Sequence, residues 1–510
     1  MARLALLGGS YSPRSIIANC QRCINLYPEL NPQNNSPVPI THYQRPGLLP
    51  LASGSALPVR GLYRASNNTG YCVIGLGVYS ISSSWVLTHL GDLSVDSGKP
   101  CRFQDNGTQV LLVDGSQFGY IINLTSNSFN QIVDPTGTFN GGNTVGYIDT
   151  FLLWNLPGTI QFGSTLSNEI QFDPLYTAGK TDYPDLLAAL IVNRHEILLV
   201  GQLTTEVWYD AGLATFPFAE LPGAFYEHGT VAPYSVASSD ISVFFLGQDL
   251  QGQGLVFRIK GYQCTVISNH AVATQIRKIA DSVGISDAIG FTYQKDQHIF
   301  YVLQFPAGDQ TWVFDDSLSG DLNAAWHQEC WTDANGELHR HRSNCHAFLY
   351  GKNVVGDWEN GTLYSLDMNT YTDTVAGVTS PLTCIRTFPH IGTGELAVGV
   401  PGMKTAVLAD GKRVEFKSFS LDMECGMAEG PLDSNGNPLG PSVVLRWSDD
   451  RGRTYGSDVL QTTGEPGQYL TQPLWRGLGI ARDRIFEVEY AANGPAALNG
   501  AWVDGTVLLS

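Results

Sequence analysis

The sequence predicts an all-β protein: a β-propeller of six or seven blades with an extended N-terminal arm and a C-terminal β-sandwich. Three observations predict it. The 510 residues include 55 Gly and 26 Pro while only 15% are charged, a turn-rich and charge-poor balance set against a typical charged share of about 25%. Paired apolar strands recur at roughly 40 to 50 residues, the period of four-stranded propeller blades. Past Pro381 that period stops and longer alternating strands take over.

The first element is the segment 1–58. Its opening, Met1-Ala2-Arg3-Leu4-Ala5-Leu6-Leu7, has too few apolar residues before Gly8-Gly9 for a secretory leader. No run approaches the ~18 apolar residues that suggest a membrane span. The expectation is a chain that folds in a cytoplasm with no membrane insertion. The run Asn31-Pro32-Gln33-Asn34-Asn35-Ser36-Pro37-Val38-Pro39 cannot lie inside a sheet, because Pro offers no N–H. The whole segment reads as an extended arm or docking platform, separable from the propeller. Leu6-Leu7-Gly8-Gly9-Ser10 lacks the Gly-Lys-Ser/Thr ending of a phosphate loop, so nucleotide binding is not expected.

The second element, 59–378, carries the repeat. An aromatic-bearing strand appears at 77–81, 118–122, 159–162, 206–209, 254–259, 311–314 and 361–366, with spacings between aromatic residues of 41, 42, 47, 48, 57 and 50. Five copies are preceded by a second apolar strand, at 71–75, 110–113, 150–154, 197–200 and 299–302, as a hairpin requires. Irregular β-sandwiches with recurring hairpins are the plainer alternative. The longest helix-compatible stretch lies near 182–193.

The third element, 379–510, shows long alternating strands such as Val414-Glu415-Phe416-Lys417-Ser418-Phe419 and Ser442-Val443-Val444-Leu445-Arg446-Trp447, the pattern of a sandwich with one face buried. Ser448-Asp449-Asp450-Arg451-Gly452-Arg453-Thr454-Tyr455 fits an Asp-box, a turn in which Ser and Asp side chains bind backbone groups. Sialidases carry several such turns. Here there is one, and neither an arginine cluster nor a nucleophile accompanies it.

Charge and cysteine content narrow the functions. A formal charge of −18 opposes a tight nucleic-acid grip, which needs Lys and Arg to displace counterions, but an acidic wall suits DNA that slides past. Nine scattered cysteines fit buried thiols better than a disulfide framework. His327, Cys330, His339, His341, Cys345 and His346 crowd twenty residues and offer the ligand types zinc prefers, but their spacing matches no common zinc module. With Trp326, Trp331, Arg340 and Arg342 interleaved, a blade-edge hairpin is the competing reading. Asp315, Asp316, Asp321 and Asp357 read as solvated turn carboxylates. No catalytic constellation or cofactor is expected, and the chain is not read as an enzyme.

Three segments carry a family resemblance. The first runs from Ser10-Tyr11-Ser12-Pro13 through Asn19-Cys20-Gln21-Arg22-Cys23-Ile24-Asn25-Leu26-Tyr27-Pro28-Glu29 to Tyr43 and Arg45-Pro46-Gly47-Leu48. The second spans Ala325-Trp326-His327, His339-Arg340-His341-Arg342, Val355-Gly356-Asp357 and Gly361-Thr362-Leu363-Tyr364. The third is Trp475-Arg476-Gly477-Leu478-Gly479 with Ala481-Arg482-Asp483-Arg484 and Phe486-Glu487-Val488. Together they resemble podovirus tail-nozzle proteins, also called packaged-DNA stabilisation proteins.

That resemblance implies a virion tail protein assembled in the host cytoplasm as a ring of six copies below the portal and its adaptor. Its bore would keep the packaged genome in and conduct it during ejection, with transient non-specific contact to DNA and with tail fibre or needle proteins as further partners. The arm and sandwich would form the platform facing the adaptor. Tyr27, Pro28, Glu29, Trp475, Arg476, Arg482 and Arg484 are the interface candidates. A carbohydrate-active or carbohydrate-binding propeller is the alternative from another class, and a host-surface fibre-attachment protein is a third. Neither heptads nor short repeats support the third.

Overall fold

The computed structural model describes residues 10–12, 14–16, 19–31, 39–166, 170–248, 254–392, 412–430 and 440–508. The residues read for a secretory leader and a phosphate loop, and nearly all of the Pro- and Asn-rich run, fall outside them.

Seven sheets follow one another along the chain. Blade 1 is an antiparallel meander of Val59–Arg64, Gly70–Ile74, Gly77–Ile81 and Leu87–Asp92. Blades 2, 3 and 4 repeat it between Arg102–Asp105 and Phe129–Gln131, between Val145–Ile148 and Thr177–Gly179, and between Leu187–Asn193 and Phe218–Tyr226. Blade 5 is built on Ser242–Gln248 and Gly254–Lys260, with Ala237–Ser238 as its first strand. Blade 6 runs from Ile289–Lys295 to Trp326–Gln328. Blade 7 opens with Ser343–Leu349, Lys352–Asp357 and Thr362–Asp367. The first strand of each blade neighbours the first strands of the blades on either side, and that of blade 7 returns to that of blade 1. The ring is therefore closed, and the strands read from the sequence are the second and third of each blade.

The continuous apolar runs of the second strands follow from this stacking. Successive side chains point to opposite faces, and both faces of a blade are covered. Val110 and Leu112 pack with Tyr71 and Val73 of blade 1, whereas Leu111 and Val113 pack with Leu152 and Trp154 of blade 3. Each such side chain contributes about 1.5–3 kcal/mol on burial, so no blade is stable without its neighbours.

The ring is sealed by a strand from far upstream. Gly47–Ser53 pairs antiparallel with Thr362–Asp367, setting Leu48 opposite Leu366 and Pro50 opposite Tyr364, and so becomes the fourth strand of blade 7. On its other side only Leu48 is bridged, to Asp373, which leaves Pro50 at an open edge where its missing N–H costs nothing. The expected separation of arm from propeller does not hold here: Leu48 is fully buried between blades 6 and 7.

The rest of the segment 1–58 enters the sandwich. Cys23–Ile24 lies parallel to Trp326–Gln328 of blade 6 and antiparallel to Cys384–Thr387. The same sheet continues through Asp483–Tyr490, Ser442–Ser448 and Val459–Thr462. The facing sheet orders Leu26–Leu30, Ile40–Gln44, Leu498–Val507, Val414–Met423 and Leu474–Arg476. Between the two lies a core containing Phe388, Phe416, Phe419, Trp475 and Phe486. Two residues thus fuse propeller and sandwich into one hydrogen-bonded sheet.

One α-helix occurs among the described residues, His270–Ser282, after blade 5. Asn269 caps it by accepting the Val272 N–H at 2.9 Å, and Val272, Ile276 and Ile279 bury one face. The stretch expected to favour helix contains instead Leu187–Asn193, paired along its length with Glu196–Gly201. Burial on both faces and ladder pairing outweigh a modest local propensity. No described helix is long and apolar enough to cross a membrane. Seven of the nine cysteines are buried, and all nine are free thiols.

Where the upstream strands meet the ring, Arg45 is 1% exposed and fully bonded. Its guanidinium donates to Asp373 at 2.6 and 3.2 Å, to Asn25 Oδ1 at 2.8 Å, and to the carbonyls of Pro46 and Cys330 at 2.8 and 3.0 Å. Asp373 also accepts the Leu48 N–H at 3.2 Å. Removing one partner of a buried pair leaves the other charge stranded, at a cost of about 3–5 kcal/mol. Asp373→Asn is therefore predicted to lower stability by about 3 kcal/mol in urea unfolding, and R45M/D373L to lower it less. A single variant within about 0.5 kcal/mol of the wild type would remove this pair from any role in closure.

Candidate functional site

The Cys/His stretch passes through three elements. His327 belongs to the last strand of blade 6. Cys330–Thr332 and Leu338–Arg340 then form a separate hairpin, and Cys345 and His346 sit on the first strand of blade 7. Both ring nitrogens of His327 are buried without a hydrogen-bond partner among the described residues, and Nε2 is 3.9 Å from Glu329. Burial works against the Glu329 charge, but His327, His341 and Arg45 hold its carboxyl below the ordinary value. His341 shares a 2.8 Å hydrogen bond with Ser343 Oγ, and burial, helped by Arg45, pushes its pKa down to about 4. Burial does the same to His346, also to about 4, while its Nε2 meets Asn353 Oδ1 at 3.0 Å.

Both thiols are protonated at neutral pH, since burial pushes Cys330 and Cys345 up to about 12. Zinc binds the thiolate, and neither thiol belongs to a group of three ligand atoms among the described residues. Among the described residues His339 is the one candidate that belongs to a group of three ligand atoms. It groups with Asp333 and Glu337 within 4.8 Å, on a hairpin turn whose Asp333 Oδ1 already accepts the Asn335 and Glu337 N–H groups.

What the stretch builds is a buried cation-and-aromatic stack. Arg342 is fully buried, donates to Asp357 at 2.7 and 3.0 Å and to Glu359 at 2.6 Å, and lies over both Trp331 and Trp358 at 4.8 and 4.6 Å. Asp357 accepts as well from the Tyr364 hydroxyl at 2.9 Å. Three of the four carboxylates expected in solvated turns are thus corrected: Asp357, Asp315 and Asp316 are buried. Asp315 faces His298 Nδ1 at 2.6 Å and Asp316 faces Arg258 at 2.5 Å. Each closes a strand end where a cation from the fold arrives. Asp321 remains exposed and caps its own turn through the Asn323 N–H.

The interface candidates divide by burial. Tyr27 packs edge-on against His298 and Phe300 of blade 6, and Pro28 is buried beside it. Trp475 is a core residue whose indole N–H donates to Val459 O at 2.9 Å. Arg484 is 2% exposed, grips Asp449 at 2.6 and 2.7 Å and stacks on Phe416. The side chains of these four work inside the monomer. Glu29 is half-buried, 3.8 Å from His298, and Arg476 and Arg482 are exposed.

The Asp-box forms its expected turn between Ser442–Ser448 and Val459–Thr462. Asp450 accepts the N–H groups of Thr454 and Arg453 and the hydroxyls of Ser448 and Thr454, which hold its carboxyl well below the usual range. Arg451 and Gly452 both have positive φ. The sequence reading missed Asn25, Arg45 and Asp373, which bear the junction. Arg45 and Asn25 lie in a segment that carries the family resemblance, but nothing nearby marked the partner of Arg45, 328 positions away.

His390 ties the N-terminal segment to the sandwich, with Nδ1 2.9 Å from Asp483 and Nε2 2.9 Å from the Ile16 carbonyl. Hydrogen bonding to Asp483, then to Cys20, outweighs burial and pushes its pKa up to about 10 from 6.5. Because the folded value is raised, its stabilisation is complete below 6.5 and disappears as pH climbs through about 10. The stability gap between wild type and His390→Gln in urea should accordingly be largest below pH 6.5 and vanish above pH 10. A gap that does not change with pH would contradict the assignment.

No curated protein matches the chain. Solved structures with some likeness include the Neurospora crassa Pan2 WD40 domain (TM-score 0.42, 9% identity, 63% of this chain and 96% of that one). Streptogramin B lyase gives a TM-score of 0.41 at 10% identity over 62% and 95% of the two chains. Residues 9–371 match the family described as bacteriophage P22 Gp10, beta-propeller, and residues 403–506 match bacteriophage P22 Gp10, beta-sandwich. The first match begins upstream of the closing strand and the second covers most of the sandwich, so the two follow the architecture described above. The chain belongs to the bacteriophage P22 Gp10 family, and is a structural phage tail protein and virion component with a β-propeller and a β-sandwich.

Proposed function

We propose that the protein forms the tail nozzle of a short-tailed phage: six copies in a ring that closes the portal channel, retains packaged DNA and conducts it during ejection. The observation that carries this reading, beside family membership, is the fusion of propeller and sandwich through Cys23–Ile24 into one sheet. A channel closure under load needs its two bodies to move together, and a continuous hydrogen-bonded sheet resists the hinge motion that separate domains allow by default. The charge of −18 suits a conduit, since an acidic wall repels the DNA backbone and lets it pass.

The sandwich offers a surface for ring contacts. Leu460 on its edge strand is 58% exposed, and Tyr469 and Leu470 are 66% and 99% exposed. The loop that carries Tyr469 and Leu470 is tied down by the Gly467 N–H donating to Gly426 O at 2.9 Å. Exposed apolar groups on a held loop are the usual core of a protein contact. The portal adaptor, tail fibre and needle proteins are the other partners of this reading, with assembly in the host cytoplasm and a purely structural role without catalysis.

Mass photometry and negative-stain averages, without and with purified portal and adaptor, test the proposal. The expected result is a hollow sixfold ring that docks on the adaptor, together with loss of the ring in L460D/L470D while the monomer stays folded. A discrete wild-type monomer that ignores the adaptor would overturn it and favour a carbohydrate-binding propeller.

A further inference from the structure

The propeller face that carries the connections between blades holds a cavity of about 440 Å³. It lies where the first strands of blades 1, 6 and 7 begin, at Arg60, Ile289 and Asn344, and beneath the connections bearing Lys99 and Tyr234. Arg340 lines it, 8% exposed, with its guanidinium 4.5 Å over the ring of Trp358. Its neighbour in the stack, Arg342, is saturated by carboxylates. Arg340 is not: among the described residues its guanidinium has one long hydrogen bond, to Gln304 Oε1 at 3.4 Å, and no ion pair. Among the described residues the buried Trp358 indole N–H has no acceptor, and Lys99 Nζ, on an exposed residue, reaches only Gly115 O at 3.1 Å.

The acidic groups of the wall are engaged elsewhere. Asp96 faces Arg60 at 3.4 Å and accepts the Gly98 N–H, and Asp287 accepts the Ala307 N–H at 2.7 Å. Burial, only partly offset by Asp309 and Asp287, lowers Arg340 to about 10, as befits a guanidinium short of counter-charge. A guanidinium fork with donors left unmatched suits a planar acceptor.

We propose that this cavity binds a carboxylate-bearing ligand, gripped by the guanidinium of Arg340 with the Lys99 ammonium beside it. The wall sets Arg60, Lys99 and Arg340 against Asp96 and Asp287, one net positive charge, which matches a carboxylate better than a phosphate dianion. The Tyr234 ring lines the wall, and the volume is that of a small-ligand site. The carboxylate can belong to a free small molecule or to the terminus of a polypeptide.

Calorimetric titration of the full chain at low salt tests this with benzoate, inorganic phosphate, and an acetylated tetraglycine with a free or amidated C-terminus. Benzoate or the free-carboxyl peptide should bind once per chain, more tightly than phosphate, with the amidated peptide silent. R340M should weaken binding at least about tenfold, the scale of one charge-assisted hydrogen-bond pair. K99A, on an exposed side chain, should weaken it by a few-fold and covers the case in which R340M fails to fold. Tighter binding of the peptide than of benzoate identifies a polypeptide source, and the reverse a free carboxylate. Absence of saturable binding by both carboxylates overturns the proposal, as does a preference for phosphate, or affinity unchanged in a folded R340M or in K99A.

Discussion

The buried contact among Arg45, Asp373 and Asn25 is the constraint on which the remaining architecture depends. Asn25 adopts a positive φ of 57°, which Asn tolerates better than most residues, and this turns the chain from Cys23–Ile24 in one sheet to Leu26–Leu30 in the other. Its side chain accepts from Arg45 and from the Cys330 N–H and donates to the Thr383 carbonyl. Arg45 then fixes the start of the strand that seals blade 7, and Asp373 holds the Leu48 N–H from the other side. Ring closure, the corner between the sandwich sheets, and the hairpin after blade 6 therefore share a single charged centre that no water can reach.

Similar buried cations recur where sheets join. Arg342 is held by Asp357 between two indoles, Arg484 by Asp449 against Phe416, and Arg60 by the carbonyls of Lys99 and Gly75. A buried guanidinium is costly unless each donor is met, so each of these sites admits one geometry of its surrounding loops. Arg340 departs from this rule. Its lack of a carboxylate partner makes its cavity stand out as a place for binding.

The same logic explains why motif-bearing residues turned out to be internal. Tyr27, Trp475 and Arg484 stand out because they lie in the segments that carry the family resemblance. Such groups serve packing as readily as recognition. Tyr27 presses the sandwich onto blade 6 against His298 and Phe300. Joining the two bodies is itself what a rigid tail component needs, so these residues matter to function through shape.

The fold class and much of the propeller were legible because blade stacking buries both faces of every strand. That writes continuous apolar runs such as Val110-Leu111-Leu112-Val113 into the sequence at the period of the blade. The helix after blade 5 carries local signs in Asn269 followed by Val272, Ile276 and Ile279, but the sequence reading placed the longest helix-compatible stretch near 182–193 and missed it. The Asp-box turn was readable because every contact within it is local. By itself, then, the sequence determined what spans a few residues or repeats with a period: strands, turns, blade count to within one, and the change to a sandwich. Only the tertiary structure decided the seal of blade 7 by Gly47–Ser53, the sheet running through Cys23–Ile24, the pairing of Arg45 with Asp373, and the place of Arg340 apart from any ion-pair partner among the described residues. Those rest on contacts between residues hundreds of positions apart, where pairing is chosen by geometry and desolvation and leaves no pattern along the chain.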